Sequence, residues 1–168
     1  LVLDTSGSMA SGHAMDDAKN AARALVERLA PNDTFSLVRF STDSQVLVTA
    51  GPVGPRKQMI LSKIDAVQAD GGTNIYDGLR LGYEQAARGP QSPETVKLVM
   101  LLSDGRATEG DTMAAHITTL AATAFQNAVQ TSAFGVGTDY DGPLMAHIAE
   151  EGAGGYYYLR ETSQIARA

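Results

Sequence analysis

The 168-residue chain contains no cysteine and no tryptophan, and aromatic residues make up 6% of it. Without cysteine, disulfides, thiolate zinc sites and thiol nucleophiles are excluded together, although this absence does not identify the compartment. Basic residues are in the minority: 13 Lys+Arg stand against 19 Asp+Glu, a formal net charge of −6. A protein that grips phosphate backbones carries the opposite sign, so nucleic acid is not an expected partner. Long apolar runs are missing too, since none approaches the ~18 residues that a membrane-spanning helix requires. This segment is therefore not expected to insert directly into a membrane.

What remains is ordinary globular material. With 43% hydrophobic and 19% charged residues the composition suits a chain that buries a core. The length suits one domain of roughly 100–200 residues. The chain opens on Leu1-Val2-Leu3 with neither an initiator Met nor a basic leader, and it closes on Thr162-Ser163-Gln164-Ile165-Ala166-Arg167-Ala168, a capped helix that stops within two turns. Residues 1–168 are accordingly read as a single domain excised from a longer protein.

Periodicity divides the chain into alternating strands and helices. Leu1 to Leu3 is a short apolar strand ending at Asp4. The loop Thr5-Ser6-Gly7-Ser8-Met9-Ala10-Ser11-Gly12 follows, and then Met15, Ala18, Ala22, Leu25, Val26 and Leu29 mark one face of a helix that stops before Pro31. Phe35 to Phe40 and Gln45 to Thr49 form two strands joined by Ser41-Thr42-Asp43-Ser44, a connection short enough for an antiparallel hairpin. Met59 to Val67 is a second helix. Gly71-Gly72-Thr73-Asn74 opens a third, carrying Ile75, Leu79, Tyr83 and Ala86 on one face. Val96 to Leu102 is the strongest strand, apolar except at Lys97, and ends in Ser103-Asp104-Gly105. Helix Met113 to Ala128, strand Thr131 to Val136, helix Pro143 to Glu150 and strand Tyr156 to Leu159 complete the pattern. The expected fold is α/β: a doubly wound, Rossmann-like three-layer α/β/α sandwich around a mostly parallel sheet, with one antiparallel edge strand.

In open sheets of this kind ligands sit outside the carboxyl ends of the strands, where strand order reverses. Two strands end in aspartate, at Asp4 and at Asp104. If both flank the reversal point their carboxylates converge, and like charges at close range need a cation or a shared proton. Ser6 and Ser8 place hydroxyls at alternate positions after Asp4, with Gly7 between them, and Thr73 offers a third from a different helix start. Hydroxyl and carboxylate oxygens without Cys or a His cluster suit a hard divalent cation rather than zinc or copper. Magnesium is the physiological default, with manganese or calcium as substitutes. Such an ion would be strongly electrophilic, with a position that a partner's carboxylate could fill.

Asp4-Thr5-Ser6-Gly7-Ser8-Met9, Thr73 in Gly-Gly-Thr-Asn-Ile, and Ser103-Asp104-Gly105 stand in the order and spacing of the metal-ion-dependent adhesion site of von Willebrand factor type A domains. The resemblance extends over essentially the whole chain, and Phe35-Ser36-Leu37-Val38-Arg39-Phe40-Ser41 also looks like the family's second strand. It is most similar to the D-x-S-G-S-M subset found in bacterial surface proteins and inter-alpha-trypsin-inhibitor heavy chains. It implies a six-stranded sheet with a metal on its upper rim. Ser6, Ser8 and Thr73 would be direct ligands, and Asp4 and Asp104 direct or water-mediated ones. It further implies a non-enzymatic adhesion or complex-assembly module that binds a partner's Asp or Glu carboxylate; the expected setting is extracytoplasmic or a membrane-anchored cell surface, with a cytoplasmic one left open.

Competing readings use the same residues. A strand-end Asp followed by serines also describes a turn with a helix N-cap, and Thr73 could cap its helix while Asp77 complements the dipole. An aspartate-nucleophile phosphatase would use Mg²⁺ at a strand-end Asp, but it places a second acid where Ser6 stands and needs a lysine after a strand end. A cytoplasmic subunit of an ATPase or chelatase assembly is a third reading. Asn32-Asp33-Thr34 satisfies a glycosylation sequon but has an ordinary turn role after Pro31. His13 reads as an exposed loop residue, His116 and His147 as structural or surface residues, and Tyr156-Tyr157-Tyr158 as edge-strand packing.

Overall fold

The structure, a computed structural model, describes residues 1–92, 94–137 and 141–159. The C-terminal helix expected over residues 162–168 lies outside them.

Six strands form one sheet: β1 (Val2–Asp4), β2 (Thr34–Phe40), β3 (Ser44–Pro52), β4 (Lys97–Ser103), β5 (Val129–Gly135) and β6 (Ala153–Tyr158). Their order is β3-β2-β1-β4-β5-β6. All neighbours are parallel except β2 and β3, whose antiparallel hairpin puts β3 at the edge. The helices are α1 (Ala14–Arg28), α2 (Lys57–Asp65), α3 (Ile75–Ala87), α4 (Ala114–Gln126) and α5 (Gly142–Glu151). The three-layer, mostly parallel architecture expected from the alternation is the one observed.

Period-two alternation sorts side chains between the layers. Leu3, Leu37 and Leu102 join Ala18, Ala22 and Val26 of α1 and Ile60 and Ile64 of α2 in one core. Their strand neighbours Val2, Val38 and Leu101 join Leu79 of α3, Ile117 of α4 and Ile148 of α5 in the other. Helix α1 carries Asp16 and Asp17 in its first turn and Arg28 in its last, charges that complement its dipole. On the other face Gly82 of α3 sits so close to Val2 that a methyl group there would collide with it. This close seat ties α3 to the central strand.

Several boundaries differ from the sequence reading for identifiable reasons. Strand β4 starts at Lys97, leaving Val96 81% exposed. Helix α4 stops at Gln126, because the Asn127 side chain donates to the Thr123 carbonyl and Ala128 turns left-handed at φ 60°. Strand β6 begins at Ala153, so two glycines that precede the strand expected from Tyr156 belong to it. Gly154 lies against the Thr131 carbonyl, where any side chain would overlap the neighbouring backbone. The loop after Asp4 contains a short 3-10 turn, Gly7–Ala10, that periodicity does not reveal.

From β1 the chain winds outward to β2 and β3, then returns across the sheet to lay β4 on the other side of β1. Strand order reverses between β1 and β4, and their loops leave in opposite directions to open a crevice at the carboxyl edge.

Candidate functional site on the carboxyl edge

Register brings the two acidic strand ends together. Leu3 pairs with Leu102, so Asp4 at the end of β1 comes level with Ser103 at the end of β4, and Asp104 follows. Asp4 is fully buried and Asp104 almost so, at 0% and 6% exposure. The Asp4 carboxylate accepts from the Ser6 backbone N–H at 2.8 Å and from the Ser103 hydroxyl at 2.5 Å. Ser103 Oγ in turn accepts from the Gly105 N–H at 2.8 Å, which links both acidic loops through one hydroxyl.

The hydroxyls expected at this edge lie beside those carboxylates. Ser6 Oγ and Ser8 Oγ are 3.0 Å apart, and Ser8 also hydrogen-bonds the Asp104 carboxylate. Ser6 stands at the N-cap position of the 3-10 turn but makes no side-chain cap, so the turn-and-cap explanation does not account for its hydroxyl. The same holds for Thr73. The N-cap of α3 is Asn74, whose Oδ1 accepts from the Asp77 N–H at 3.1 Å.

Thr73 is buried, at 3% exposure, and reaches the edge through its backbone. The preceding turn is fastened to the first loop by Gly7 N–H to the Gly71 carbonyl at 2.9 Å. Gly71 adopts φ +78°, and a Cβ there would stand 2.8 Å from Thr42 Oγ1, the oxygen that accepts from the Gly72 N–H. On the other side the Thr73 N–H donates to Thr108 Oγ1 at 2.9 Å. Asp4, Ser6, Ser8 and Asp104 thus form one connected set. Thr73 joins it through loop contacts and makes no direct side-chain hydrogen bond to the other four among the described residues.

Electrostatically the site is short of positive charge. Burial pushes the Asp4 carboxyl up to about 6; hydrogen bonds from Ser103 and Ser6 pull it back, and the Asp104 charge adds to the rise. Burial raises Asp104 as well, opposed by the Ser8 hydroxyl, the Arg106 backbone and the Arg106 charge. Asp104 Oδ1 is buried with no hydrogen-bond partner. A buried carboxylate oxygen left unpaired is costly and marks a place where a cation or proton is wanted. Among the described residues no three Asp, Glu or His side chains gather at metal-binding distance. The oxygens gathered here are therefore hydroxyls beside two acids.

Two supporting residues were not singled out by the sequence reading. Ser103 had a signal: it is a buried hydroxyl closing an otherwise apolar strand, directly before Asp104. Thr108 had none, because its partner lies 35 residues away and depends on the path of a loop. The remaining polar candidates lie as read. His13 is exposed near Asp16, His147 is exposed, and His116 Nδ1 pairs with Asp111 Oδ2 at 2.6 Å on the surface. Tyr157 stacks on Phe134 with centroids 5.1 Å apart.

Relatives share this architecture. The chain is 30% identical over 165 residues to the uncharacterized protein YfbK of Escherichia coli, covering 98% of the chain and 28% of that protein. Among solved structures, a von Willebrand factor type A protein from Catenulispora acidiphila superposes with a TM-score of 0.81 at 19% identity, over 98% of this chain and 38% of that one. Proximal thread matrix protein 1 from the mussel byssus, solved with a zinc-occupied MIDAS motif, gives 0.74 at 22% identity, over 98% and 42% of the respective chains. The chain spans less than half of each of these proteins. The von Willebrand factor type A profile matches residues 1–167, and the chain belongs to that domain family.

Proposed function

We propose that the carboxyl-edge site holds a divalent cation through Asp4, Ser6, Ser8, Thr73 and Asp104, and that the domain is a metal-dependent protein-binding module rather than an enzyme. The observation that carries this reading is the buried, unpartnered Asp104 Oδ1, on a carboxyl that interacts with Ser8 of the Ser6–Ser8 hydroxyl pair and whose charge acts on a second buried acid, Asp4. The donor set fits: two carboxylates supply charge and three neutral hydroxyls supply hard oxygen donors, a combination suited to Mg²⁺, with Mn²⁺ able to substitute. The zinc-occupied MIDAS motif of the mussel protein supports divalent-metal binding by a domain of this fold.

A bound cation would supply an electrophilic position open to an Asp or Glu carboxylate of a protein partner. The chain's residues prepare that position. Asp4 and Asp104 concentrate negative charge where it is offset by a metal, and Ser103 fixes the Asp4 carboxylate. Exposed Arg106, whose charge acts on Asp104, adds a positive group on the rim for an acidic partner. Ser6 and Ser8 are bonded to one another and toward carboxylates, and among the described residues neither shares a hydrogen bond with a histidine, which favours ligation over nucleophilic use of these hydroxyls.

Isothermal titration with Mg²⁺ and Mn²⁺ tests the reading. The wild-type domain is expected to bind one equivalent, and Asp4→Ala to lose binding while keeping its circular dichroism spectrum. Undiminished affinity in Asp4→Ala, or no heat with the wild type, sinks the assignment.

A further inference from the structure

The Thr73 backbone is served almost wholly from outside its own helix. Its N–H donates to Thr108 Oγ1 at 2.9 Å, and its carbonyl accepts from the backbone N–H groups of Thr108 at 3.0 Å and Glu109 at 3.2 Å. The two segments also interlock. Gly72 lies under the Glu109 side chain, where a methyl group would collide. Gly110, at φ +65°, lies against Asn74, and a Cβ there would stand 2.5 Å from its side-chain amide. The segment that grips Thr73 is the loop that begins at Asp104.

We propose that Thr108 is a positioning residue for the cation site, locking Thr73 and Asp104 into one rigid unit although they come from different parts of the chain. This inference rests on the cation reading given above. The physical reason is preorganisation. A neutral threonine hydroxyl is a weak ligand, so its value depends on being held in place before the ion arrives, and groups behind the ligands commonly shift metal affinity about 10–100-fold. Thr108 itself is exposed, so its side chain contributes little to the core and can be replaced without opening a cavity.

The test compares Thr108→Val and Thr108→Ser with the wild type, using Mn²⁺ alone as probe. Valine keeps the shape and removes the acceptor for the Thr73 N–H; serine keeps the acceptor. Thr108→Val is expected to weaken Mn²⁺ binding about tenfold, to speed hydrogen exchange at the Thr73 amide in metal-free protein, and to lower the metal-free melting temperature by only a few degrees, for want of the acceptor of the Thr73 N–H. Thr108→Ser is expected to restore both affinity and protection. Wild-type-like Mn²⁺ affinity in Thr108→Val overturns the proposal, as does equal weakening in both variants. If the wild type itself does not bind Mn²⁺, the cation reading fails and takes this inference with it, an outcome distinct from failure of Thr108 alone.

Discussion

Ser103 Oγ donates to Asp4 Oδ2 at 2.5 Å across a sequence separation of 99 residues, and the same oxygen accepts from the Gly105 N–H. One buried hydroxyl therefore satisfies a carboxylate at the end of β1 and a backbone donor just past β4. It joins the two strands at the point where the sheet's order reverses.

Replacing that hydroxyl exposes its importance. Ser103→Ala leaves a buried carboxylate oxygen and a buried N–H without a partner, and is expected to cost roughly 1–3 kcal/mol. Urea unfolding of the metal-free protein measures this directly. A change within a few tenths of a kcal/mol would mean the hydroxyl is dispensable.

Asp4→Asn should act in opposite directions in the two states. The Asp4 carboxyl is raised to about 6 by burial, with Asp104 adding to the rise, so near neutral pH an ionised group is held in an unfavourable place when no cation is bound. Neutral asparagine relieves that load, and the metal-free variant is expected to gain on the order of 1–2 kcal/mol. It should also lose the response to Mg²⁺. Equilibrium unfolding with and without the metal separates the effects, and a less stable metal-free variant would contradict the electrostatic account.

Metal linkage gives a thermal prediction. A cation that binds the folded crevice and not the unfolded chain stabilises by about 2.7 kcal/mol at a hundred times its Kd, which for a domain of this size corresponds to a rise of about 5–10 °C in Tm. Scanning fluorimetry across a Mg²⁺ or Mn²⁺ series should show this rise in the wild type and none in Asp4→Ala. Equal shifts in both proteins would place the ion elsewhere.

Alkaline titration probes the layer behind the site. Tyr83 of α3 hydrogen-bonds Thr131 of β5 at 2.9 Å, and burial pushes its phenol up to about 12. A folded-state value above the ordinary one means the contribution of Tyr83 to stability is fully present below about pH 10. It is lost as pH rises from there through 12. Tyr83→Phe is expected to be about 1 kcal/mol less stable near neutrality, for want of the hydrogen bond, yet to lose stability less steeply in alkali. An unchanged alkaline slope would show that Tyr83 ionises freely.

Gly154→Ala tests the contact that sets the start of β6. A methyl group there would overlap the Thr131 carbonyl, so the β5–β6 pairing must open, with an expected loss of about 1–3 kcal/mol or more. Amide exchange along residues 153–158 should accelerate, while β1 and β4 remain protected. Unaltered protection in β6 would mean that the strand can shift to make room.

Much of the fold was legible because binary pattern and punctuation are local. The run from Val96 to Leu102 reads as a strand, and the structure keeps it from Lys97 with full burial at its carboxyl end; Pro31 ends a helix, and Asp4 and Asp104 stand at strand ends where ligands gather. Boundaries were less legible where a long-range contact overrode local preference. Gly154 and Gly155 precede the strand expected from Tyr156, yet they belong to β6, where the β5 backbone leaves no room for a side chain at Gly154 and the Tyr157 ring covers Gly155. Thr73 offered two roles on paper; only the folded chain shows Asn74 taking the cap and releasing the threonine.

By itself, then, the sequence determined the residue types and their order: which positions are apolar, which strands end in acids, and which loops carry hydroxyls at ligand spacing. These properties follow from neighbouring residues and repeat periods. The tertiary structure alone decided which of them meet. Whether Asp4 and Asp104 share a crevice depends on β4 returning to pair with β1. Whether Asp104 keeps an unpaired oxygen depends on what surrounds it once buried. Thr73 is held from Thr108 only because a loop 35 residues downstream folds back over its turn. Such juxtapositions arise from strand order and loop path, and these are set by the packing of two cores on one sheet rather than by any local run of residues.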